Sequence, residues 1–262
     1  QGSAKPDDNR KWENLILSVD AHKDFFDDHM TLGFNAYRRL TDIDFTSTYR
    51  SGTQQEFLTY STQKGCVAQA TYTETLGDFS NKLTGGIEYA NAGDNYEAFV
   101  LAGAGTPGDN SLDKDDIGLF FQDYLTCFEK LVLMFGMRHD EVDFRFDDHT
   151  NSANNALSGF DETTLKTGFV LKLVDAIDIY GSYGQAFKAP GASELFNTTG
   201  WGGNDPNLLP ERADSYEIGA RLRWKDKVAA HVGLFRIDTS DEIQSVETAP
   251  WTYVNCNVGE TR

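Results

Sequence analysis

A chain of 262 residues with 39% hydrophobic content carries enough apolar side chain for one large ordered domain or two ordinary ones, which excludes a disordered tail. Acidic residues outnumber basic ones 41 to 23, for a formal charge of −18, and this argues against a protein that grips nucleic-acid phosphates. Cys66, Cys127 and Cys256 stand far apart without a C-x-x-C or a nearby histidine pair, so neither a zinc site nor a dense disulfide framework is expected.

Helical periodicity is scarce, and no apolar run reaches the ~18 residues of a membrane-spanning helix. The opening QGSAKPDDNRK has neither an initiator Met nor an apolar stretch and reads as cut from a longer chain. Period-2 alternation, by contrast, recurs over long windows, so the chain is expected to be all-β. In order, strands are expected near residues 13–22, 30–45, 64–75, 83–98, 116–126, 131–144, 162–173, 177–187, 213–224 and 228–240, about ten in all. A less regular extended piece follows Gln244. In MTLGFNAYRR, Met30, Leu32, Phe34 and Ala36 share one face, opposite Thr31, Gly33, Asn35, Tyr37 and Arg39. In SYEIGARLRW, Tyr216, Ile218, Ala220, Leu222 and Trp224 oppose Ser215, Glu217, Gly219, Arg221 and Arg223.

A soluble sheet alternates too, so strand length and loop sorting decide between protein and lipid against the apolar face. The expected strands run roughly 10 to 14 residues, beyond the ~5 to 6 of soluble sheets and enough to cross a bilayer at a tilt. Short turns follow Thr126, Leu173 and Trp224, whereas residues 100–115, 147–161 and 188–212 read as long loops. Tight turns at one end and long loops at the other are the pattern of outer-membrane barrels. The presumed lumen face carries Glu88, Arg138, Asp140, Lys166, Lys172, Glu217, Arg221 and Arg223, and Tyr89, His139, Tyr183 and Trp224 fall near the ends of apolar runs, where an interfacial girdle belongs.

One motif points elsewhere. In FVLAGAGTPGDNS, Gly103, Gly105 and Gly108 complete the G-x-G-x-x-G that cradles a dinucleotide pyrophosphate at a helix N-terminus. Here Pro107 interrupts it, and DNSLDKDD offers no helical stripe, so the glycines are expected to shape a loop. Other enzyme signals are thin: the five histidines form no HExxH, and no G-x-S-x-G occurs.

The order of several segments resembles one family. IYGSYGQAFKAP (from Ile179), GGNDPNLLPERADSYEIG (from Gly202), LFRIDTSDEI (from Leu234) and YVNCN (from Tyr253) follow one another as in the C-terminal half of TonB-dependent outer-membrane receptors, and FFQDYLTCFEKLVLMFGMRHD (from Phe120) is similar to the family's Gln-Asp strand, turn and Gly-x-Arg-x-Asp strand. Asp205 interrupts the usual Gly-Asn-Pro, Ala186 stands where a glycine precedes Phe187, and Cys256 enters the Tyr-x-Asn segment. The resemblance implies an antiparallel transmembrane β-barrel in the bacterial outer membrane, with residues 1–262 as a partial segment of a 22-stranded wall; a plug, a TonB box and terminal strands are not found in this sequence.

It also implies TonB-dependent active uptake of a large scarce solute such as a ferric siderophore or cobalamin. The expected partners are outer-membrane lipid, a metal-chelate or cobalamin-like ligand, and the TonB complex through a plug; no cofactor, no catalytic residue and no nucleic acid are expected. Tyr49, Phe196 and Trp201 are candidates to stack on a ligand and Arg50 to meet an anionic group, against the alternative that each packs a loop. Asp147 and Asp148 are the candidates for a divalent cation, against a solvated turn. The competing functions are a passive porin or adhesin barrel and a soluble β-sandwich binding module.

Overall fold

The computed structural model describes residues 9–49, 51–105, 107–196, 205–225, 227–250 and 252–260. Ten strands form one antiparallel sheet: β1 (Asn9–Phe25), β2 (Met30–Thr48), β3 (Gln54–Leu76), β4 (Phe79–Ala102), β5 (Gly108–Cys127), β6 (Leu131–Asp148), β7 (Ala156–Val174), β8 (Ile177–Lys188), β9 (Glu211–Trp224) and β10 (Val228–Ser240). Each pairs with its sequence neighbours, and β1 and β10 are the sheet's edges. The piece expected beyond Gln244 is a separate hairpin, β11 (Glu242–Ala249) with β12 (Thr252–Val258).

Connections sort by length as expected. Residues 26–29, 77–78, 128–130, 175–176 and 225–227 make tight turns at one end, and residues 49–53, 103–107, 149–155 and 189–210 make the longer connections at the other. β1 to β7 outrun the expected length, reaching 24 residues in β4, whereas β8, β9 and β10 keep to it at 12, 14 and 13. Segments expected as loop at 100–102, 108–115 and 156–161 are strand.

The reason is an inversion of sidedness partway along the longer strands, plainest on β6. On β6 the outer face reads Leu131, Leu133, Phe135 and Met137, then changes to His139, Glu141, Asp143 and Arg145. The lumen face does the reverse: Arg138 and Asp140 give way to buried Val142, Phe144 and Phe146. Register carries the change across the sheet, because Ile87, Leu119 and His139 lie in one row, and two rows up come Asn91, Asp115, Asp143 and Gly159. A search for one continuous apolar face stops at this boundary. At ~3.3 Å per residue, Leu131 to His139 spans roughly 26 Å along the strand, or about 20 Å of height at a ~40° tilt, most of the ~25 Å apolar band of outer-membrane barrels.

Aromatic groups mark both limits of the band. Phe128, in a tight turn, meets Phe79 edge-on at 5.0 Å, and Trp224 ends β9 at the same end. At the opposite limit the Tyr89 hydroxyl donates to Asp115 at 2.8 Å and the Tyr183 hydroxyl to Asp214 at 2.6 Å.

Inside, the Arg138 guanidinium bridges Glu88 on β4 (2.9 Å) and Asp140 on its own strand (2.7 Å). It crosses β5 at Gly118, the residue in register with both Glu88 and Asp140, where a Cβ would collide with the guanidinium. Nearer the long connections, Arg212 joins Glu162 to Asp241. Asp241 holds a left-handed φ of 56° between β10 and β11, so the chain changes direction there and leaves the main sheet.

Candidate ligand site on the upper lumen wall

Above the inversion the lumen face of β1–β4 carries rings where strict alternation would place polar groups. Phe45 and Phe57 are cross-strand partners with centroids 5.7 Å apart and planes at 21°, and Tyr96 continues the series at 6.2 Å and 29°. Arg10 is the β1 partner of Phe45, so a guanidinium ends the row. Together with Ile43 and Thr59 these side chains line a cavity of about 390 Å³.

Tyr49 completes it from the β2–β3 connection, where its N–H donates to the Thr53 carbonyl at 2.8 Å and its carbonyl accepts from Gly52 at 3.0 Å. Tyr49 is 46% exposed. Burial, and secondarily Tyr49, push the Tyr96 phenol above its ordinary pKa, so it stays a neutral hydrogen-bonding group. Stacked faces beside one cation suit a ligand with flat rings and negative charge.

The glycine motif buttresses this rim. Gly103 takes φ +81°, and a Cβ there would lie 2.8 Å from Thr53 Cα, so the β4–β5 connection packs directly on the β2–β3 connection. Buried Thr53 donates its hydroxyl to the Ala104 carbonyl at 3.0 Å. Among the described residues between β4 and β5 none is helical, and Gly108 begins a strand, so these residues do not form the dinucleotide geometry.

The other expected residues fall in three places. Phe196 lies under the β8–β9 connection, at the end of the short helix α1 (Ala192–Leu195), 2% exposed among Val142, Phe144, Phe146, Leu195 and Leu208. Its face is spent on packing. Asp148 accepts hydrogen bonds from the Thr150 N–H and hydroxyl, the Asn151 N–H and the Asn154 amide, while Asp147 accepts from Asn155. Burial opposes the Asp148 charge, yet these bonds outweigh it and hold the carboxyl at about 2. Its oxygens staple the 149–155 connection. Arg50 and Trp201 lie outside the described residues.

Phe45, Phe57, Tyr96 and Arg10 escaped the sequence reading. Their signal was available: Phe45 and Phe57 occupy the same alternation phase as the polar lumen residues of their strands, an anomaly that sidedness inversion resolves.

The motif segments prove to be a scaffold. Asn257 clamps residue 209 on both sides, accepting from the Leu209 N–H (2.8 Å) and donating to its carbonyl (2.9 Å), and it also donates to the Asp241 carbonyl at 2.7 Å. Glu211, from the Pro-Glu element, accepts the Ile243 N–H at 2.9 Å. Leu208 from the same loop enters the Phe146 core.

Comparison with known proteins gives the same answer. Residues 1–262 match the family described as TonB dependent receptor-like, beta-barrel. The siderophore receptor PiuA from Acinetobacter baumannii superposes with a TM-score of 0.75 at 18% identity, covering 98% of this chain and 44% of that one. The ferric-catecholate import receptor Fiu from E. coli K12 gives 0.73 at 15%, covering 97% and 44%. The copper transporter OprC gives 0.76 at 16%, covering 94% and 41%. The chain thus spans less than half the length of these proteins, which are receptors and transporters rather than enzymes. This chain belongs to the TonB-dependent receptor β-barrel family, and its sheet is a wall of an outer-membrane barrel.

Proposed function

We propose that this wall belongs to a receptor that captures a large, scarce solute outside the cell and moves it inward with energy from the TonB complex, relayed through a plug. The observation that carries the reading is the shelf of Phe45, Phe57 and Tyr96, ended by Arg10 and overhung by Tyr49, on the lumen face beside the long connections. The ligand class that fits is an anionic metal chelate with flat rings, of the ferric-siderophore kind; each ring stacked is worth about 0.5–1.5 kcal/mol beyond its burial. The names of PiuA and Fiu agree with that class, and the name of OprC keeps copper among the cargoes to test. Outside, the apolar band from Leu131 to Met137 and its neighbours meets outer-membrane lipid.

The test is a titration of the full-length receptor with a ferric catecholate chelate, cobalamin and copper ion, repeated on Phe57→Ala and Arg10→Gln. The chelate is expected to bind, and each variant to weaken it about tenfold. Unchanged affinity in two folded variants moves the site off the shelf. Uptake in cells is expected to stop when TonB is deleted; continued uptake means a passive pore.

A further inference from the structure

Two rows of lumen side chains cross β1–β4 beneath the Tyr49 overhang. The upper runs Arg10, Phe45, Phe57, Ala98 and the lower Trp12, Ile43, Thr59, Tyr96. Strands ~4.8 Å apart put Trp12 and Tyr96 roughly 14 Å from each other, with the smaller Ile43 and Thr59 as a floor between them. Tyr96 bounds the cavity at the β4 end and Arg10 at the β1 end, where its guanidinium lies over the Trp12 ring, 5.8 Å from the centroid. Trp12 is 60% exposed, so its indole is not spent on core packing. One row further down the shelf stops, because Asn14 accepts from Arg39 at 3.3 Å and from the Thr41 hydroxyl at 3.4 Å, and Ser61 is bonded to Asp94.

The charge at Arg10 is left uncompensated in a chain of net charge −18. Neither row holds a carboxylate, and the neighbouring Glu13 pairs with Lys11 on the opposite face at 2.8 Å. Among the described residues Arg10 forms no ion pair. A ring face can fix a guanidinium without neutralising it, which a carboxylate partner cannot do. We infer, resting on the shelf reading above, that Trp12 is a positioning residue through which this site selects its ligand by charge. It holds the Arg10 cation at the end of the cavity, where a chelate stacked on Phe45, Phe57 and Tyr96 meets it with an anionic group. Without the indole the same guanidinium must be ordered when the ligand binds, and that ordering costs affinity.

The experiment is a calorimetric titration of the full-length receptor with an anionic ferric catecholate chelate, run on wild type, Trp12→Leu, Arg10→Gln, the double variant and Phe57→Ala. Trp12→Leu is expected to weaken binding about three- to fivefold on its own and to add nothing in the Arg10→Gln background, as a residue acting through another must. Trp12→Phe keeps a ring face under the guanidinium and is expected to recover most of the loss. Trp12→Thr, which also suits a strand, repeats the cycle if Trp12→Leu fails to insert. Raising the salt should weaken wild type more steeply than Trp12→Leu. No loss in Trp12→Leu, a loss that persists beside Arg10→Gln, or equal salt dependence overturns the role of Trp12 while the shelf stands. No binding of the chelate, or unchanged affinity in Phe57→Ala, overturns the shelf and this role together.

Discussion

Phe146 on β6 and Phe196 beyond β8 stack with ring centroids 5.5 Å apart and planes 6° from parallel. The contact fastens the β8–β9 connection to the lumen wall above the inversion, with Leu195 and Leu208 on either side of it in sequence. Removing a fully buried aromatic ring costs roughly 3–5 kcal/mol where the site cannot collapse. Phe196→Ala is therefore expected to free residues 189–196 and 205–210 while leaving the strands paired. Hydrogen exchange should rise in those segments alone; unchanged exchange there refutes the packing role.

Why was this role invisible beforehand? A phenylalanine in a polar loop looks the same whether it waits for a ligand or plugs a core, and the choice depends on Val142, Phe144 and Phe146, about fifty residues earlier in the chain. Alternation, in contrast, is local, so the ten strands and the sorting of their connections could be read from the sequence. The upper halves of the strands were legible only in part, because there the same alternation continues with its meaning reversed. Tyr49 was found as a lone loop aromatic; the shelf beneath it depends on the registers of β1–β4, which one strand cannot reveal.

Asp148 sets a pH dependence for the 149–155 connection. Its carboxyl is held at about 2, against ~3.9 for an unfolded aspartate. A depressed folded-state pKa means that the stabilisation is fully present above pH ~4 and is lost as pH falls through about 2. Exchange of the Thr150 and Asn151 amides, corrected for intrinsic rates, should accelerate in that window for wild type. Asp148→Asn should be loose at every pH and show no step. A step of equal size in the variant assigns it to another group.

Gly118 is expected to accept a side chain only if Arg138 moves, because the guanidinium occupies the space above it. Gly118→Ala displaces the flexible, partly exposed guanidinium from Glu88, Asp140 or both, at a cost of about 1 kcal/mol. The loss should appear as a lower temperature for the gel-mobility change that accompanies barrel unfolding. Gly85→Ala is the control, since a Cβ there meets nothing nearer than the Phe120 carbonyl at 3.7 Å. If Gly118→Ala behaves like that control, the bridge across β5 does not hold the wall.

Asn257 tests whether the motif segments act as a scaffold. Its amide both donates and accepts, so Asn257→Asp retains the acceptor for the Leu209 N–H and loses the donors to the Leu209 and Asp241 carbonyls. It also brings a carboxylate up to two carbonyl oxygens. Each hydrogen bond lost is worth about 0.5–1.5 kcal/mol, and repulsion adds to that. The β11–β12 hairpin should consequently loosen from residue 209, with faster exchange at Leu209 and Ile243, while the β9–β10 ladder stays protected. Glu211→Gln offers a contrast, because a neutral amide oxygen still accepts the Ile243 N–H, and it should leave Leu209 exchange unchanged. Exchange that rises equally along β9 and β10 in Asn257→Asp would mean that the asparagine supports the whole wall rather than the seating of one hairpin.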